Sequence, residues 1–179
     1  MSQIKVNSII PVTGVATGQG GGVIQTLKVV KKDTSSWALD TSSTSFKETG
    51  VELTITPKKA SNIILIWVQG MFSSDRAGEQ HYFTFSRSSD SSNFCIGDAS
   101  GVRTRITSGM ELQAQSRAAQ FSCFAIDTDH NTTSANTYKL LATGNNGSGT
   151  MYLNRSHSDD NAFFRARGVT TMIIQEIAT

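Results

Sequence analysis

The sequence predicts an all-β protein, a jelly-roll-like antiparallel β-sandwich, on three observations. Apolar and polar residues alternate with period two, most clearly in Val51-Glu52-Leu53-Thr54-Ile55-Thr56. That is the pattern of a strand with one buried face. Roughly eight to ten short runs of this kind recur, bounded by turn residues, as in sandwiches and barrels. Charged residues make up only 17 % of the chain, and Ser, Thr, Asn, Gln and Gly fill the place they leave. Those side chains close turns, while nine Phe and two Trp rule out the aromatic-poor composition of a disordered chain.

Taken in order, residues 1–22 read as an arm and a hinge. Ile4, Val6, Ile9, Ile10 and Pro11 form a short apolar stretch of extended character, and Gly14, Gly18, Gly20, Gly21 and Gly22 follow it. Glycine lifts the Cβ restriction on the backbone. An apolar arm on such a hinge suits docking onto another protein of an assembly; the alternative is an edge strand of the same domain. Residues 23–179 form the head domain. Residues 24–31 alternate as a strand, and residues 33–45 are a Ser/Thr-rich loop holding Trp37. Residues 51–56 are a strand that Pro57 stops, since proline cannot donate to a ladder. Residues 63–68 are apolar at both parities, which predicts a strand buried on both faces. One of those faces is then expected to meet another element or another subunit, with Ile64, Ile66, Val68 and Ile174 as the candidate interface. Strands follow at 81–86, 94–96, 121–126, 138–142, 151–153 and 169–177. Residues 110–117 read as a strand lead-in or a helical turn. Gly144-Asn145-Asn146-Gly147-Ser148-Gly149 reads as a hairpin connection.

Little in the chain carries chemistry. The net charge is +2 and the longest Lys/Arg run is two residues, without the basic stripe of a nucleic-acid binder. Gly18-Gln19-Gly20-Gly21-Gly22-Val23 lacks the third glycine of a dinucleotide fingerprint and the Lys-Ser/Thr of a P-loop, so no cofactor is expected. Asp127-Thr128-Asp129-His130-Asn131 starts like a calcium loop, but Thr132 and Tyr138 stand where glycine and glutamate are needed. His81, His130 and His157 share no metal-ligand spacing. His157-Ser158-Asp159-Asp160 lacks the strained nucleophile turn of a triad, and no carboxylate pair is signalled. No catalytic residue and no metal ligand is assigned. Cys95 and Cys123 sit in apolar runs and read as buried thiols, with a cross-strand disulfide as the alternative. The Asn-X-Ser/Thr matches at Asn131, Asn146 and Asn154 read as chance. No secretory signal is recognised at Met1-Ser2-Gln3-Ile4-Lys5, and the 63–68 run is too short to cross a bilayer. Synthesis in a cytoplasm and release by lysis are therefore expected.

Four segments together carry a family resemblance. They are Ile4-Lys5-Val6-Asn7-Ser8-Ile9; Thr54-Ile55-Thr56-Pro57-Lys58-Lys59-Ala60-Ser61-Asn62-Ile63-Ile64-Leu65; Ala125-Ile126-Asp127 with Asn136-Thr137-Tyr138-Lys139-Leu140; and Met172-Ile173-Ile174-Gln175-Glu176-Ile177. In this order they resemble small virion structural proteins of tailed phages, marine and cyanobacterial ones especially, of the tail-fibre or head-decoration type. The resemblance implies a jelly roll, a homotrimer, partners among other virion proteins, and a place on the outside of the particle. It implies no enzyme. The expected role is attachment to a host glycan or outer-membrane protein, with Trp37, Arg155 and His157 on the receptor-facing loops. A purely architectural capsid decoration or head fibre is the alternative. A polysaccharide depolymerase and a secreted trimeric module of the tumour-necrosis-factor or complement type are further rivals.

Overall fold

A computed structural model of the protein describes residues 21–39, 45–112, 118–145 and 149–179. Among these residues the chain is β throughout, in eleven strands. They are β1 (Val23–Lys31), β2 (Ser35–Ala38), β3 (Lys47–Ile55), β4 (Ile63–Ser74), β5 (Glu79–Arg87), β6 (Asn93–Phe94), β7 (Ser108–Leu112), β8 (Ala119–Asp127), β9 (Asn136–Gly144), β10 (Thr150–Leu153) and β11 (Thr170–Ile177). The arm residues Ile4, Val6, Ile9, Ile10 and Pro11 lie outside the described residues.

The pairing is that of one long hairpin folded on itself. β5 pairs with β7, β4 with β8, β3 with β9, β2 with β10 and β1 with β11, all antiparallel. Lateral pairs then roll the hairpin up: β4 with β11 and β10, and β5 with β9. Two antiparallel sheets result. The first runs β1-β11-β4-β8, with β10 and β2 continuing beside the far end of β4; the second runs β3-β9-β5, with β6 and β7 along the outer side of β5. This is the jelly roll predicted from the sequence.

Period two decides which residues form the core between the sheets. On β4, Ile64, Ile66, Val68 and Phe72 are fully buried, and on β8 the inner set is Phe121, Cys123, Ala125 and Asp127. Phe83 on β5 stacks on Phe121 across the sandwich with centroids 4.6 Å apart, and Phe72 meets both rings edge-on at 5.3 and 6.0 Å. Such arrangements add to the area buried. Gly70 permits a close approach: a Cβ there would lie 2.2 Å from Thr170 Oγ1 and 2.9 Å from Phe121 Cε1. Gly50, at φ +76°, sits where the β3–β9 register shifts between Glu48 and Glu52. A left-handed glycine of this kind makes a β-bulge.

The structure differs from the sequence reading in three places, and at Asn154 it agrees that the Asn-X-Ser match is no glycan site. Trp37 lies in strand β2, opposite Met151, and its ring packs against the core rather than standing on a loop. The segment around residues 144–149 is not a hairpin connection, because β9 and β10 belong to different sheets. A glycine-rich link serves a crossover as well as a tight turn, which is why composition misleads there. Cys95 is exposed and at φ +53°, while Cys123 is buried; both are free thiols. Asn154 is fully buried and donates to the carbonyls of Lys31 and Asp33 at 2.9 and 3.0 Å, so it is structural and closed to a glycan.

Candidate interaction surface

The strand that is apolar at both parities puts its two sides to different uses. The proposed interface residues Ile64, Ile66 and Val68 on β4, with Ile174 on β11, point into the sandwich and are fully buried within one chain. The interleaved positions face outward. Trp67 is 49 % exposed, and its neighbours across β8 are Phe124 at 40 % and, one pair along, Ile126 at 44 %. Trp67 and Phe124 are directly opposite in register, with ring centroids 5.0 Å apart. Leu65 and Ile173 flank them, half-buried. Val30 and Val169, both 46 % exposed, extend the strip over β1 and toward the 154–169 connection. Sequence showed that β4 has two apolar faces. Which parity faced out was invisible until the inward-facing partners on β5 and β8 were known.

At one end of the sandwich two connections meet beside this sheet. Trp37 follows the β1–β2 turn, and Arg155 and His157 begin the long link from β10 to β11. The guanidinium of Arg155 lies over the Tyr152 ring at 4.1 Å, and the His157 ring tilts against the same tyrosine at 5.8 Å. Arg155 Nη1 also donates to the His157 carbonyl at 3.0 Å. Topology thus brings the three predicted loop residues to one end, but it half-buries each of them. The residues most open to solvent there are Phe163, 100 % exposed, and Phe164, 63 % exposed, which are packed edge-on at 5.4 Å. A tandem Phe inside a polar loop was the available signal.

The opposite end is fastened by buried charge. Arg87 Nη1 reaches Asp127 Oδ1 at 2.5 Å, and its Nε and Nη2 grip Asp90 at 3.0 and 2.8 Å. Tyr138 donates its hydroxyl to Asp127 Oδ2 at 2.9 Å. Hydrogen bonds from Arg87 and then Ser92 hold the Asp90 carboxyl well below the usual carboxylate range. Burial, with Asp127 beside it, pushes the Tyr138 hydroxyl far up. Asp127, which opens the segment that only starts like a calcium loop, is committed to Arg87 and Tyr138. Glu176 is fully buried at the same end. It accepts from Asn62 Nδ2 and Gln25 Nε2 at 2.6 Å each and from the Lys58 amide at 2.7 Å. Burial works against its charge, yet these donors hold its carboxyl below the ordinary value. His130 Nε2 lies 2.8 Å from the Asn62 carbonyl and tethers the β8–β9 loop to the same turn. Arg87, Asp90, Asp127 and Tyr138 thus satisfy one another at this end, and Glu176 and His130 are held by the turn around Asn62. Burial pushes the Cys123 thiol up to about 12, which disfavours the reactive thiolate. Among the described residues no cluster of His, Cys, Asp and Glu could hold a metal ion, and no helix is long and apolar enough to cross a membrane.

Comparison with known proteins gives fold-level neighbours only. No protein-family model matches the chain, and no curated protein matches it. Among solved structures, a T=1 particle derived from infectious bursal disease virus aligns with 98 % of this chain and 41 % of its own, at 12 % identity and a TM-score of 0.47. The Gx strain of that virus aligns over 98 % and 42 %, at 12 % identity and a TM-score of 0.46. A Bacillus endospore appendage, from a family of disulfide-linked pili, aligns over 92 % and 96 %, at 12 % identity and a TM-score of 0.33. The chain spans about two fifths of the length of the viral chains it aligns with. Likeness this loose leaves the chain's own surface as the guide to what it does.

Proposed function

We propose that the protein is a virion structural protein, a homotrimeric knob or short fibre displayed on a bacteriophage particle that attaches it to the host surface. The observation that carries this reading is the open apolar strip of Trp67, Phe124 and Ile126 on a jelly roll whose interior is already full. Contiguous exposed apolar surface of this kind marks association, and copies of the same chain are its simplest cover. The chemistry of the chain supports a binding role over a catalytic one, because Arg87, Asp90, Asp127 and Tyr138 are spent on one another and Glu176 on Asn62, Gln25 and the Lys58 amide. The sequence resemblance to tailed-phage virion proteins supplies the particle and, with it, the partners: other virion proteins through the arm at residues 1–22, and a host glycan or outer-membrane protein at the loop end. Phe163 and Phe164 join Arg155 and His157 as the side chains to contact a receptor. A capsid decoration without receptor binding is the second reading, and the same strip favours it equally.

Retention on host cells separates the two. Fluorescently labelled full chain is expected to bind whole host cells saturably, and Phe163→Ser with Phe164→Ser is expected to weaken that binding at least tenfold. Linear, unsaturable retention would contradict the attachment role and leave the decoration reading standing.

A further inference from the structure

We propose that the outer edge of β8 takes an added strand, residues 4–12 of a neighbouring copy, so that the copies of the assembly are joined by exchange of their N-terminal segments. The inference rests on the self-assembly reading above and says how the copies are linked.

The edges of the two sheets are not alike. An unpaired strand edge templates further pairing, and proteins blunt it with short strands, bulges and charge. The β1 edge carries Lys28 and Lys31, and its register shifts between Val23 and Gln25. The β3 edge carries Lys47, Glu48 and Glu52 and the Gly50 bulge. The edge beside β5 is broken into β6, two residues long, and β7, five residues long. β8 has none of these devices. It is nine residues long, it pairs with β4 in unbroken register from Ala119 to Asp127, and it has neither charge nor proline before Asp127. Among the described residues β4 is its sole strand partner. Its outward side chains, Phe124 and Ile126, are half of the apolar strip.

The added strand must be extended in character, apolar on one side and about nine residues long. Ile4-Lys5-Val6-Asn7-Ser8-Ile9-Ile10-Pro11-Val12 fits: Ile4, Val6, Ile10 and Val12 share one parity, and a proline is tolerated at an outermost strand. Recognition by strand addition draws affinity from the main chain and specificity from alternate side chains.

Reach favours a neighbouring copy. The segment leads into β1 at Gly22, whose carbonyl accepts from the Ala178 amide at 3.0 Å. Val23 pairs with Ile177, Ile177 with Ile63, and Ile64 with Asp127, so β1 begins at the end of the sheet where β8 finishes. Antiparallel pairing within one chain would set Val12 beside Ala119, at the far end. The straight path from there to Gly22 is about 33 Å, from the length of β8 and four strand spacings. Ten extended residues span about 33–36 Å, with nothing left to pass round the sheet. A neighbouring copy has no such restriction. Head-to-tail contacts of this sort form a ring when the rotation between copies closes, and a closed ring of three is the trimer of the reading above.

Disulfide trapping tests the proposal on full-length chains with Cys95→Ser. One chain carries Asn7→Cys or Ser8→Cys, to cover both parities; a differently tagged chain carries Gln120→Cys, Ser122→Cys or Phe124→Cys, to cover the register. Mixing the two after dissociation and reassembly is expected to give a mixed-tag disulfide dimer for at least one combination. A second measurement uses Val6→Asp with Ile10→Asp, expected to weaken assembly at least tenfold in its dissociation constant. Absence of every mixed dimer while the assembled mass persists would overturn strand exchange and spare the self-assembly reading. An intrachain disulfide in a chain carrying both cysteines, with no mixed dimer, would overturn it likewise. A monomeric mass for the unsubstituted chain would overturn both.

Discussion

Single residues in this sandwich do their work by being buried with, or without, a partner. Asp127, Arg87 and Tyr138 are buried together, and removing Arg87 would strand the buried charge of Asp127 at a cost of about 3–5 kcal/mol. His81 is the opposite case. It is fully buried on β5 against Phe72, its Nδ1 lies 3.1 Å from the Glu79 carbonyl, and its Nε2 has no partner. Burial pulls its pKa down to about 4, against about 6.5 in an unfolded chain. The unfolded chain therefore takes up the proton first. Stability contributed by the neutral ring is complete above pH 6.5 and is lost as pH falls toward 4, by about 3 kcal/mol in all. Urea unfolding of His81→Phe between pH 6.5 and 4 is expected to show a flatter dependence than the parent chain. Parallel pH profiles for the two would contradict the assignment.

At the scale of elements, β4 explains both the fold and the surface. It pairs with β8 on one side and with β11 and β10 on the other, so every residue on it is either core or sheet exterior. Trp67→Lys is expected to leave the far-ultraviolet spectrum β-type and to weaken assembly by tenfold or more. The same loss from the conservative Trp67→Phe, with Trp67→Lys harmless, would argue against an apolar contact. Much of this level was legible beforehand. The strand at residues 51–56 announces itself by period two, and those at 63–68, 121–126 and 169–177 by short runs rich in β-branched and aromatic residues. What escaped was set by distant partners. The parity of β4 depends on β5 and β8, Trp37 is drawn into a strand by Met151, and the 144–149 link spans two sheets with the residues a hairpin would use. The bonding of Glu176 to Gln25, Asn62 and Lys58 is likewise a product of rolling up the hairpin, because these residues are more than 110 apart in sequence.

At the scale of the molecule, the sandwich pairs Arg87 with Asp127 inside and leaves Trp67, Phe124 and Ile126 as an apolar strip outside, which on the proposed reading copies of the same chain cover. Its interior needs no partner, so association adds a rigid block to a larger structure without reshaping it. Low charge, 17 % of the chain, leaves hydroxyl and amide side chains to supply much of the remaining surface. The claim that joins these features is that one chain alone leaves Trp67 and Phe124 uncovered. Sedimentation equilibrium of the full chain at micromolar concentration tests it most directly. A mass of about 58 kDa, three times the 19.3 kDa of one chain, is the predicted result; a single species at the mass of one chain would contradict it.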